Sequence, residues 1–580
     1  MGFGKKLDVA GSARWKRLVA AAAALALAPI YMRAASDSAG EQICVVKKLY
    51  ESKQWEEVVA ATAGAPDSPG DFGLYRGLAL ARLERWAEAR NALEASLTHN
   101  PNDTRLMTEL AGLAYREKRF KEAKKCLRSV LKNQPYDEYA NDLLGSIYFF
   151  EGNLDAALEY WNKVKKPQLS DLSFEPEPKL KPILLDRTFA FSRGGVWTED
   201  AFLTSKARLE KLGVFQARRF DLEANDDGTF NLLVRATEKP SWLDSPWIAA
   251  AGLASGLPYQ TVYAEFPSVN RNGVQWNSSY RWDDQKRRVT SELAAPLKDN
   301  PAWRFRFGMD WRDENWNLST TLVPKAPGAA SVNLEKATAR MEIESIVSGR
   351  WSWSSGVNVS DREMRSLTGL PAAATTLFAD GANVGLYGEL RGALLRRPER
   401  RFTIDGRANG ELGTFFKEPL GRYTRLGGEL DSRWLPRATG EDYETRVRLR
   451  GGRIFGDVPF DELYVLGFDR DTDLWMRGHP GLAGGQKGAA PLGNGYMLVN
   501  AEVDKIVYKA PFVLLRAGPF LDTGKAYASS SGYFGSPEWM WDSGAQLKAR
   551  LFGSFEFVLG YGRDLRSGRN SFFTTVLRRL

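Results

Sequence analysis

The chain has 580 residues, with 80 Lys and Arg against 71 Asp and Glu, a formal charge of +9. It is too long for one ordinary domain, and about two to four are expected; its near-balanced charge excludes a basic nucleic-acid tail, so no nucleic-acid partner is expected. Two cysteines (Cys44, Cys126) and two histidines (His99, His479) give too little material for a catalytic constellation or a Cys/His metal site. An enzyme is therefore the least expected class, and neither a metal nor another cofactor is expected. Abundant Gly (54) with 18 Trp, 20 Tyr and 30 Phe, and no long apolar run, points to β-rich architecture, membrane barrels included.

The N-terminus reads as an export signal. Lys5, Lys6, Arg14, Lys16 and Arg17 precede the apolar run Leu18–Ala28, which is too short to cross a bilayer as a helix. Small residues follow at Ala34, Ala35 and Ser36, so residues 1–37 are expected to form a signal peptide cleaved near 35–39. No helical membrane span is expected elsewhere.

Residues 41–167 are expected to be helical and repetitive, with a period of about 34 residues. Gly77 aligns with Ala111 and Gly145, Ala89 with Ala123 and Ala157, Leu93 with Leu127 and Trp161, and Pro101 with Pro135. Small residues at fixed points let two helices of a hairpin approach closely, and proline ends the second helix. The pattern resembles tetratricopeptide repeats, three of them after a partial one near Trp55. That resemblance implies a concave surface for a periplasmic protein or peptide partner; a rigid spacer is the alternative. The two cysteines lie about two repeats apart and are not expected to pair, because repeats contact only their neighbours. Residues 168–182, with Pro176, Pro178 and Pro182 among charges, read as a linker.

Residues 183–240 read as a small α/β domain. Ile183–Phe191 alternates weakly and is expected to be a strand, followed by a short helix near Arg193–Trp197. Thr198 is expected to cap a helix whose first turn holds Glu199 and Asp200, with Gly213 at its end. Two strands, Gln216–Glu223 and Thr229–Thr237, flank the turn Asn225-Asp226-Asp227-Gly228. The order resembles a polypeptide-transport-associated (POTRA) domain, which implies that unfolded chains are held by strand addition.

From 241 to 580 the period becomes two. In Trp303–Trp311 the odd positions are apolar and the even ones are Arg304, Arg306, Gly308 and Asp310; Phe402–Asn409, Thr445–Arg450 and Phe555–Gly562 alternate likewise. Aromatics on one face and arginines on the other fit an antiparallel transmembrane β-barrel with a lipid-facing exterior and polar lumen. At ~9–11 residues per strand there is room for about 14–18 strands, even in number.

Three passages carry a further resemblance: Asn270–Gly273 with Glu292–Pro296, Met476-Arg477-Gly478-His479, and Phe520-Leu521-Asp522-Thr523-Gly524. Together with the POTRA-like order they resemble the outer-membrane barrels of the BamA, TamA and FhaC-like superfamily. His479 departs from that family's usual aromatic. The resemblance implies a 16-strand barrel with its seam near Trp247 and Phe573. It also implies a loop entering the lumen, where Arg477 and Gly478 meet Asp522, Gly524 and the strand of Glu502. Parity then turns Leu498, Asn500, Glu502, Asp504, Arg516, Gly518 and Phe520 inward. The expected function is assembly or translocation of unfolded or secreted polypeptides at the outer membrane, its lipid around the barrel and the N-terminal domains in the periplasm. An exopolysaccharide or lipoprotein export porin is the alternative; there Arg304, Arg306, Arg446, Arg448, Arg450 and Arg516 would line a path for an anionic polymer.

Overall fold

The computed structural model describes residues 41–63, 71–239, 246–322, 330–371, 374–510, 513–528, 532–551 and 555–577. The signal-peptide segment, 1–37, lies outside the described residues. The chain divides into two compact units, Met1–Ile147 and Tyr148–Leu580.

The first unit is built of helices: Trp55–Ala61, Asp71–Arg82, Trp86–His99, Thr104–Arg116, Phe120–Asn133 and the body of Glu138–Phe150. Its helix starts Trp86 and Phe120 keep the expected spacing, and Leu154, opening the helix Leu154–Trp161 of the second unit, continues it. Hairpins turn at Glu84, Lys118 and Gly152, all with positive φ and spaced by the same period. The small residues do what their recurrence implies: Ala89, Ala111, Ala123 and Ala157 are wholly buried, and a Cβ on Gly77 would meet Leu93 Cγ at 2.4 Å. Leu93, Leu106 and Leu110 form the core between these hairpins. Both cysteines are free thiols.

The second unit begins with a three-stranded mixed sheet: β1 Leu169–Glu175, β2 Phe215–Ala224 and β3 Phe230–Glu238, in the order β1-β3-β2. β1 runs parallel to β3, and β3 antiparallel to β2. The sequence expectation fails at the front of this unit. The presumed linker contains β1; Ile183–Phe191 is not a strand, because Pro182–Thr188 is helical; and 193–197 holds no helix. The cause is local. Pro182 sits in the first helical turn, where its missing N–H costs nothing. β1 is short, and Pro167 and Pro176 flank it. The rest holds: the Thr198 hydroxyl accepts the Ala201 N–H, Gly213 adopts φ +64° after the helix Glu199–Lys211, and Gly228 turns the hairpin at φ +81°.

A large antiparallel sheet follows. Its strands are β4 Thr261–Phe266, β5 Gln275–Asp283, β6 Lys286–Leu297, β7 Asn300–Asn317, β8 Ser331–Ile346, β9 Trp351–Thr368, β10 Asn383–Arg397, β11 Phe402–Phe415, β12 Arg422–Trp434, β13 Tyr443–Phe455, β14 Gly495–Ala510, β15 Val513–Tyr527, β16 Met540–Leu551, β17 Phe555–Asp564 and β18 Asn570–Leu577. Each pairs antiparallel with the next. Among the described residues there are thus fifteen long strands, not sixteen, and β4 and β18 run in the same direction. The first strand does not lie near Trp247: Pro246–Gly256 is a helix, as its Ala- and Leu-containing sequence favours. Tyr259, just before β4, lies 2.9 Å from Thr574 of β18 through their hydroxyls, and the strand order runs on from β18 to β4.

The two faces have opposite chemistry. Trp303, Phe307, Met309, Val357, Val359, Leu386, Leu426, Leu449, Met497 and Leu559 are exposed on the outside, whereas Arg304, Arg362, Arg450, Asp504, Asp522 and Asp542 are buried on the inside. No described helix is long and apolar enough to cross a membrane.

Candidate functional site

The connection from β13 to β14, residues 456–494, returns along the charged inner face of the sheet. Its own regular structure is a 3-10 turn, Phe460–Glu462, and two small ladders, Tyr464–Val465 with Leu492–Gly493 and Leu482–Ala483 with Gln486–Lys487. Gly484 and Gly485, at φ +58° and +84°, close the second ladder. Turn glycines at these positions keep the excursion narrow enough to pack inside a sheet.

Arg477 is the centre of this loop. Its Nε donates to Asp522 Oδ2 at 2.9 Å and its Nη2 to Asp522 Oδ1 at 2.6 Å, a bidentate pair. Its backbone N–H donates to the same carboxylate at 3.0 Å. Nη1 reaches Glu502 Oε2 at 3.1 Å and Gln546 Oε1 at 2.8 Å, and the guanidinium lies 3.8 Å from the Phe520 ring centre. Asp522 is 0% and Arg477 3% exposed. A planar guanidinium suits this geometry, because it offers two parallel donors to one carboxylate and a third to another. Removing Arg477 leaves the buried Asp522 carboxylate without its cation, at a cost of about 3–5 kcal/mol.

The motif glycines are close-approach positions. A Cβ on Gly478 would lie 2.7 Å from Asp542 Cγ and 2.8 Å from the Asp564 backbone nitrogen; one on Gly524 would lie 2.9 Å from the Met497 carbonyl oxygen. The expected parity also holds. Leu498, Asn500, Asp504 and Phe520 are buried, whereas Met497, Val503 and Leu521 are exposed.

Sequence reasoning found one clasp of several. Gly478 N–H and His479 Nδ1 both meet Asp542, at 2.6 and 2.8 Å, and His479 Nε2 faces Asp564 at 3.6 Å. Farther along, Asp471 receives Arg281 and Arg288, and Lys487 bridges Asp471 and Glu314. Glu462 takes Lys336, Arg362 and Arg425. Phe460 packs between Trp316 and Phe378. One loop therefore touches β5 to β9, β12 and β14 to β17, so the sheet is curled around it. The missed partners carried a weak sign in the sequence: Asp542 and Gln546 share the inward parity of their strand.

The arginines singled out as a lumen lining are largely engaged. Arg304 faces Glu344 at 3.9 Å and donates to Gln275; Arg306 faces Glu292 and Glu342. Arg446 pairs with Asp431, Arg450 with Asp473 and Asn500, and Arg516 with Glu444. Arg448 makes no hydrogen bond or ion pair to a carboxylate among the described contacts, although in the ladders it stands between Asp431 of β12 and Asn500 of β14. Among the described residues, His479, Asp542 and Asp564 form a group of potential metal ligands, a meeting that composition alone did not reveal.

Comparison with known proteins gives first a class for the helical region. The tetratricopeptide repeat family model matches residues 80–147. No curated protein matches the chain. Among solved structures, the chain is similar to CdiB from Escherichia coli (12% identity, 71% of this chain and 75% of that one, TM-score 0.45). It is similar also to CdiB from Acinetobacter baumannii (12%, 78% and 81%, 0.44). A third similarity is to BamA from Haemophilus ducreyi lacking POTRA domains 1–3 (12%, 71% and 84%, 0.40). The chain thus carries tetratricopeptide repeats and resembles the BamA and CdiB barrels in structure.

Proposed function

We propose that this chain moves polypeptides at the bacterial outer membrane. The large sheet closes into a barrel that spans the membrane. The helical repeats and the mixed-sheet unit stand in the periplasm and receive an unfolded or secreted chain. The barrel then inserts that chain or passes it across, with no covalent chemistry of its own. The domains are the repeats over 41–167, the POTRA-like unit, now begun at β1 rather than at 183, and the barrel over 241–580.

The observation that carries this reading is the β1–helix–helix–β2–β3 unit placed directly before an inside-out sheet. Its outer edge, β2, has no ladder partner beyond β3 among the described residues, so a client strand can add there. The apolar exterior suits hydrocarbon, and the ion-paired interior suits a wet lumen. In this reading Arg477, Gly478, Glu502, Asp522 and Gly524 lock the loop in the lumen. An exopolysaccharide path is disfavoured, because most of the inward arginines are neutralised by carboxylates. The test is depletion of the chain followed by measurement of outer-membrane and secreted proteins. Loss of one or more polypeptide products supports the proposal; an unchanged proteome with loss of a surface polysaccharide contradicts it.

A further inference from the structure

Four consecutive hairpin turns lie at the end of the barrel opposite to the one from which residues 456–494 leave, and all four are occupied by the mixed-sheet unit and the helix before it. At the β4–β5 turn the Lys181 N–H donates to the Arg271 carbonyl at 2.8 Å, and Arg271 Nε donates to the Lys179 carbonyl at 3.0 Å. Gln275 donates to the Leu212 carbonyl, just past the helix Glu199–Lys211. At the β6–β7 turn Arg187 donates to the Lys298 carbonyl at 2.9 Å. At the β8–β9 turn the Gly349 N–H donates to the Thr204 hydroxyl at 2.8 Å, and Arg350 pairs with Asp200 at 3.0 Å. A Cβ on Gly349 would overlap the backbone of Leu203 and Thr204, so the two segments touch main chain to main chain. At the β10–β11 turn Asn153 donates to the Pro398 carbonyl at 2.8 Å, and the Tyr160 hydroxyl donates to Glu399. The next turn at this end, residues 435–442 between β12 and β13, differs. Its described bonds run to the barrel alone, with Arg401 donating to the Arg437 carbonyl and Arg516 facing Glu441.

This joint is built like a core rather than a hinge. Main-chain groups bond directly across it, and Lys211 closes an ion triad with the buried Glu344 and Arg304. Parting the two sides would strip Glu344 of a cation, which is costly for a buried charge. On the lumen side the helix Glu199–Lys211 is a wall. Lys211 lines a cavity of about 240 Å³ with Arg306 and Glu342, and Ala207 and Glu210 line another of about 450 Å³ with Arg391 and Arg407. We propose that the mixed-sheet unit is a fixed roof over the β5–β11 half of the barrel mouth, so that an unfolded client chain reaches the lumen past the β12–β18 half. The two halves of the mouth then differ in access to a chain, not in access to water.

The inference rests on the reading of the barrel as a polypeptide route, but its test needs no cargo; the depletion proteome tests that reading separately. The probe is a maleimide carried on a long polyethylene glycol chain, a flexible coil like an unfolded polypeptide. It is applied to the full-length protein in detergent, with Cys44→Ser and Cys126→Ser, bearing one new cysteine: Arg306→Cys beneath the roof or Arg550→Cys in the other half. Strand parity turns both side chains inward, and they are comparably exposed, at 32% and 27%. Each polymer rate is divided by the rate of N-ethylmaleimide at the same site, which corrects for local reactivity. The ratio is expected to be several-fold lower at Arg306→Cys than at Arg550→Cys. Gly349→Leu overfills the joint and should raise the Arg306→Cys ratio several-fold; Arg350→Asp, which repels Glu199 and Asp200, is the milder release variant should Gly349→Leu not assemble. Equal ratios at the two sites with the joint unsubstituted overturn the proposal. A low ratio at Arg306→Cys that neither release variant raises overturns it too, because depth in the barrel rather than the roof would then set access.

Discussion

Arg477 serves three acceptors at once, and this sets what its substitutions do. Arg477→Ala leaves Asp522 buried without its cation, so the loop end should detach at a cost of about 3–5 kcal/mol. Arg477→Lys keeps the charge but cannot form the bidentate pair, so an intermediate loss is expected. Protease cleavage within 466–494 measures both: fast in Arg477→Ala, intermediate in Arg477→Lys, slow in the unsubstituted protein. A second residue-scale test concerns the thiols. Burial pushes the Cys126 thiol up, whereas Cys44 is exposed. Iodoacetamide at pH 8 should therefore modify Cys44 first, and equal rates would contradict the packing of the helix Phe120–Asn133. The Arg477–Asp522 pair was legible in the sequence because an Arg-Gly loop and a Phe-x-Asp-x-Gly strand stand in a recognisable order. Asp542 and Asp564 were not. A carboxylate on an alternating strand looks alike whether it meets water, a neighbouring arginine or a histidine 63 residues before it in the chain.

At the scale of elements, helical periodicity was the clearest text. Its recurring alanines and leucines are core positions, so Leu127→Ala should destabilise the repeats by about 2–5 kcal/mol, read as a lower denaturant midpoint of the helical transition. Thr198→Ala removes a helix cap in the mixed-sheet unit and should cost about 1 kcal/mol, with little change in sheet signal. At the front of that unit the prolines suggest a linker, whereas the chain forms β1 and a helix there. Pro167 and Pro176 flank β1, and Pro182 begins a helix rather than breaking one. Short elements beside prolines have too few residues for periodicity to assert itself.

For the whole molecule, the inside-out patterning of the sheet was legible, and the strand count was not. Alternation fixes which face a residue takes. It does not say whether an Ala-rich segment such as Pro246–Gly256 becomes the first strand or a helix. The fifteen described strands put β4 and β18 in the same direction, whereas each consecutive pair from β4 to β18 is antiparallel. The loop, by contrast, is tied to strands β5 to β9, β12 and β14 to β17; under the proposed transport function, no cargo wide enough to need the space it fills passes while every clasp is closed. Function should therefore depend on loop fastening rather than on lumenal charge alone.

The most direct measurement is the outer-membrane and secreted proteome of cells depleted of the chain and complemented with the unsubstituted protein or with Arg477→Ala at equal barrel levels. The account predicts that depletion removes polypeptide products, that the unsubstituted protein restores them, and that Arg477→Ala does not. Full restoration by Arg477→Ala would contradict it.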